Sequence, residues 1–137
     1  MSELELLTSM QANRAIFVNY VLAQTLMAAV IVYIAYVFRK LPSSVRAAAM
    51  VGSVISILLV TFFVTGTQTV FYSSVTMMSE MAGNGSELAT TFMNSVGMEA
   101  GEPVSQPMWM TLLSVIQVII NLGVTIYIYM FANWGEE

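Results

Sequence analysis

Residues 15–38 read AIFVNYVLAQTLMAAVIVYIAYVF, 24 consecutive positions without a charge. A helix that crosses a bilayer needs roughly 20 apolar residues at about 1.5 Å each, so this stretch alone is long enough to span. Two further uncharged runs, Ala47 to Tyr72 and Met108 to Ala132, hold 26 and 25 residues. Hydrophobic residues make up 58% of the 137 and charged residues 9%, against roughly 25% charged in an ordinary soluble domain. The reading is an all-α integral membrane protein with three transmembrane helices. It forms a single membrane domain over residues 1–137, with spans at about 15–38, 47–72 and 108–132.

Orientation follows from the few cations. Arg39, Lys40 and Arg46 are topogenic: they lie in the connection 39–46, which the excess of positive charge on cytoplasmic loops assigns to the cytoplasm. The connection 73–107 has no Lys or Arg and carries Glu80, Glu87, Glu99 and Glu102, as expected of an extracytoplasmic loop. The amino terminus is then extracytoplasmic, and the carboxyl terminus, ending in Glu136 and Glu137, is cytoplasmic. Met1-Ser-Glu-Leu-Glu5 is acidic where a secretory signal is basic, so the first helix is expected to stay in the mature protein.

Local signals extend two of the helices beyond the membrane. Ser2 and Glu5 have capping-box spacing, and a helix running from there to Lys40 is about 57 Å long. Leu41-Pro42-Ser43-Ser44 breaks it, with Ser43 or Ser44 as the next cap. No strong breaker follows until Gly83-Asn84-Gly85, so the second helix continues toward residue 82. The two make a long antiparallel hairpin. Ser86 as cap, Glu87 in a first turn and Gly97 as stop predict a short extracytoplasmic helix at about 87–96. Trp109 and Trp134 bracket the third span about 37 Å apart, as interfacial anchors.

Polar residues inside the spans fall on faces. Thr111, Ser114, Gln117, Asn121 and Thr125 share one arc of the third helix. Asn13, Tyr20 and Gln24 share a side of the first; Thr61, Thr65, Gln68 and Tyr72 share a side of the second. The second helix also has a small-residue stripe through Ala49, Gly52, Ser53 and Ser56. Two readings apply to Gln24, Gly52, Ser56, Gln68, Gln117 and Asn121. One is packing and hydrogen bonding between helices; the other is a polar pathway or small-molecule site. No ionisable residue lies inside a span, which speaks against proton relays and coupled ion transport.

The chain has no His, Cys or Asp. No Ser-His-Asp or Cys-His arrangement, phosphate loop or zinc motif is possible or present, so no enzyme, no cofactor and no nucleic-acid partner is expected. Seven of the 12 methionines lie between positions 77 and 110. Thioethers suit Cu(I), which makes Met78, Met81, Met108 and Met110 a minor candidate for an extracytoplasmic Cu(I)-binding accessory protein. Met also fills irregular packing gaps.

The leading expectation is a non-catalytic small integral membrane subunit, structural or accessory. It would pack with copies of itself or with other membrane subunits in a multisubunit complex or a membrane-containing virion. The alternative is a self-assembling pore. Size, three spans and the outside-to-inside orientation are similar to three-span phage holins, a resemblance of topology that covers no motif. It departs from them at the carboxyl end, which is acidic here and basic there.

Overall fold

The computed structural model describes residues 2–135, and Glu136 and Glu137, on which the acidic-tail reading rests, lie outside the described residues. Four α-helices follow in order: α1 (Glu3–Val37), α2 (Ser43–Gly83), α3 (Glu87–Ser95) and α4 (Met108–Met130), with a 3-10 turn at Phe38–Lys40. No strand occurs among the described residues. α1 with its 3-10 turn, α2 and α4 are each long and apolar enough to cross a membrane, as fits a multi-pass membrane protein. Most of their large apolar side chains, among them Leu26, Tyr33, Phe62, Leu112 and Ile119, are exposed. Exposed apolar stretches of that extent suit lipid, not water.

Helix ends follow local chemistry. The Ser2 backbone N–H donates to the Glu5 carboxylate (2.7 Å) and the Glu5 N–H donates to Ser2 Oγ (3.3 Å), a reciprocal capping box. These bonds, the backbone one foremost, hold the Glu5 carboxyl below its ordinary pKa; Glu5 lies outside the apolar run that begins at Ala15. After the 3-10 turn, Leu41 is extended at φ −80° and ψ 160°, as the residue before proline must be. Ser43 is not a cap. α2 begins at that residue, and the Pro42 carbonyl accepts the first helical bonds from the Val45 and Arg46 N–H groups.

The chain divides into two compact units, each with its own core. The first comprises Met1–Asn19 and Thr65–Met108. Its buried cluster joins Leu6 and Met10 of α1, Val75, Met78 and Ala82 of α2, and Ala89 and Met93 of α3. These positions recur at three- and four-residue spacings, so each helix contributes one face. α2 stops in a Schellman motif: the Ser86 N–H reaches the Met81 carbonyl (3.1 Å), the Gly85 N–H reaches Ala82 (3.0 Å), and Gly85 takes φ 91°. Ser86 then caps α3 by accepting from the Ala89 N–H at 3.0 Å.

The segment after α3 is latched onto α2 by two hydroxyls one turn apart. Ser79 Oγ donates to the Glu102 carbonyl (2.7 Å) and the Glu99 carbonyl (3.3 Å). Thr76 Oγ1 donates to the Val104 carbonyl (3.0 Å) and accepts from the Val104 N–H (3.0 Å). The Gly101 N–H adds a bond to the Ser79 carbonyl (3.0 Å). Such closeness needs two glycines. A Cβ on Gly83 would stand 3.0 Å from Gly101 Cα, and Gly101 itself has φ 87°.

The second unit comprises Tyr20–Val64 and Trp109–Glu137. Ile31 and Ala35 of α1, Ile57 of α2 and Tyr129 of α4 form its core. In lipid, packing and polar contacts hold helices together because the hydrophobic effect is absent there. Both are visible. Tyr20 stacks on Phe63 with ring centroids 5.9 Å apart, and the Tyr129 hydroxyl lies 3.1 Å from Ser53 Oγ.

Candidate functional site

The polar residues of the long helices sort into two chemical groups. Hydroxyls on a helix can return a hydrogen bond to the carbonyl four residues back. Thr25, Ser56, Thr61, Thr69, Ser74 and Ser114 do so, to Val21, Gly52, Ile57, Thr65, Val70 and Met110. They therefore require no partner helix. A carboxamide has two donor hydrogens and an acceptor and cannot be satisfied that way. Asn13 finds the Thr67 carbonyl at 2.9 Å within the first unit. The side chains of Asn19, Gln24, Gln68, Gln117 and Asn121 take no hydrogen bond among the described residues.

In the second unit these groups are ordered along α4. Gln117, Asn121, Thr125 and Tyr129 recur every four residues, a spine of about 18 Å by the helical rise. Exposure falls steadily along it: Gln117 is exposed, Asn121 half-buried, Thr125 3% and Tyr129 1% exposed. Successive members drift by about 40° at 3.6 residues per turn, which turns one end of the spine outward and the other into the core. Tyr129 is anchored by Ser53, whose Oγ also donates to the Ala49 carbonyl at 2.9 Å. Gln24 of α1 joins Asn121 and Thr125 around a cleft of about 90 Å³, otherwise lined by apolar side chains including Ile31 and Ile57.

The small-residue stripe of α2 is split by the fold. Ser53 is buried while Gly52 and Ser56 are exposed, and no atom lies within 4 Å of a Cβ built on Gly52. Gln68 belongs to the first unit, apart from the Gln24, Asn121 and Thr125 grouping. Trp109 is exposed, whereas Trp134 is half-buried, donates its indole N–H to the Ile128 carbonyl (3.3 Å) and meets Tyr36 edge-on. Of the cations, Arg39 lies 3.9 Å over the Tyr36 ring and donates to the Tyr36 carbonyl. Lys40 is exposed; Arg46 is half-buried, its Nε enclosed without a partner.

Met78 is fully buried in the core of the first unit and Met81 packs against it. Met108 is 89% exposed, and Met110 belongs to the second unit. Among the described residues no three His, Cys, Asp or Glu side chains gather where they could hold a metal ion. Sequence reasoning missed Thr76 and Ser79, whose partners lie 20 to 28 positions away, and it did not single out Tyr129. The one available signal was the four-residue spacing that carries the arc of α4 past Thr125 to Tyr129. Comparison with family models, with curated proteins and with solved structures finds no match for this chain.

Proposed function

We propose that the chain is a non-catalytic integral membrane subunit, structural or accessory, that packs with copies of itself or with other membrane subunits. The observation that supports this most is Gln117: an exposed carboxamide, without a partner among the described residues, in the middle of an apolar helix. Polar side chains in hydrocarbon turn toward other helices or cavities. The open Gly52 and Ser56 face of α2 offers close backbone approach to a neighbour. α1 and α2 form an antiparallel hairpin, in keeping with the Asn13 to Thr67 bond and the Tyr20 to Phe63 stack. The amino terminus and α3 lie outside, and the connection bearing Arg39, Lys40 and Arg46 lies in the cytoplasm.

Mass measurement of the complex after gentle detergent extraction tests the reading. The wild-type chain is expected in an assembly, and Gln117→Leu is expected to weaken it. A lone wild-type monomer in native membranes would overturn the proposal. Thiol labelling in intact cells checks the orientation: Ser86→Cys should react and Ser43→Cys should not. The exposed Thr111, Ser114 and Gln117 face also suits the lining of a self-assembled pore, the second reading. Expression in bacteria separates the two, since abrupt loss of membrane potential favours the pore.

A further inference from the structure

Thr125 is a buried hydroxyl that returns no bond to the carbonyl of its own helix. Thr25, Thr61 and Thr69 each return a bond to the carbonyl four residues back. Thr125 does not, and its hydroxyl has no other partner among the described residues although the residue is 3% exposed. It lines the cleft of the second unit together with Gln24 and Asn121, two carboxamides that also take no hydrogen bond among the described residues. All three lie in apolar runs, where a polar group that meets hydrocarbon without a hydrogen bond is costly; Thr125 is buried, and Gln24 and Asn121 are half-buried. The cleft has space for about 90 Å³, room for a few molecules the size of water, whose share of the liquid is ~30 Å³.

The geometry points to a binding site for a small uncharged molecule that both donates and accepts hydrogen bonds, held by Gln24, Asn121 and Thr125. The three side chains supply donors and acceptors in the same small space. No charged residue lines the cleft, so an ion entering it would lose its hydration shell with no countercharge to replace it. A purely apolar occupant would leave all three groups unsatisfied. Water and small neutral solutes of the urea class meet the requirement. The site lies within one chain, so it stands or falls independently of assembly with partners.

The absence of cysteine makes the test direct. The full chain carrying Thr125→Cys is placed in liposomes and treated with methyl methanethiosulfonate, a small uncharged reagent that attacks the thiolate form, which exists only where water reaches the sulfur. Ile126→Cys, at the same depth on an exposed position, is the lipid-facing control. Thr125→Cys is expected to react at least tenfold faster than Ile126→Cys. Equal rates at the two positions would overturn the proposal. Should Thr125→Cys fail to fold, Asn121→Cys serves with the same expectation and the same refuting result. Molar urea then distinguishes the occupants: slowed labelling identifies a neutral-solute site, and an unchanged rate, with the tenfold preference retained, identifies a water site.

Discussion

Thr76→Val removes one oxygen and two hydrogen bonds at once. Valine has nearly the shape of threonine, so packing against Val104 is preserved while the Val104 N–H and carbonyl, both at 3.0 Å from Oγ1, lose their partner. A typical intramolecular hydrogen bond contributes about 0.5–1.5 kcal/mol net, so the pair is worth about 1–3 kcal/mol. At roughly 1.4 kcal/mol per factor of ten, local opening of the segment becomes about 5- to 150-fold more frequent. Amide hydrogen exchange in detergent micelles reads this out. The informative reporter is Gly101, because its N–H bond to the Ser79 carbonyl is not itself touched by the substitution. Its exchange should accelerate within that range, while the Met78 amide, inside α2, stays protected. Unchanged exchange at Gly101 would show that Thr76 does not latch the segment, and Ser79 would then hold it alone.

Glycine positions give a paired prediction. Gly83→Ala forces a Cβ to within 3.0 Å of the Gly101 backbone and should destabilise the first unit by about 1–3 kcal/mol, seen as a lowered thermal midpoint; Gly66→Ala, with no atom within 4 Å, should raise it by about 0.5–1 kcal/mol equivalent. Tyr129→Phe should cost only about 0.5–1.5 kcal/mol because Ser53 keeps its bond to the Ala49 carbonyl, whereas Tyr129→Ala should cost about 3–5 kcal/mol through the cavity it leaves; equal losses in denaturant titrations would contradict this account of the core. Glu5 is held below its ordinary pKa by Ser2, so its capping contribution is present above the unfolded value and lost as pH falls through the folded one. NMR of the first turn should show fraying on acidification below the ordinary glutamate range, and Glu5→Gln, which does not titrate, should abolish that pH dependence.

The helical class and the three membrane-length runs are legible in the chain's composition alone, because length and hydropathy answer directly to bilayer thickness. The sequence also marks where helices stop, since Pro42 and Gly85 act on the backbone beside them. Which polar groups have partners follows from the packing of the helices. Ser53 and Ser56 are three residues apart on one stripe, yet one meets Tyr129 and the other faces outward. Thr111, Ser114, Gln117, Asn121 and Thr125 form one arc in the sequence, but the exposed stripe ends where Asn121 and Thr125 turn toward the cleft with Gln24. The latch made by Thr76 and Ser79 has no local signature. Periodicity states which residues share a helix face, but whether that face meets lipid, another helix or a cleft depends on contacts between residues 20 to 98 positions apart. Such contacts exist only once the helices have packed.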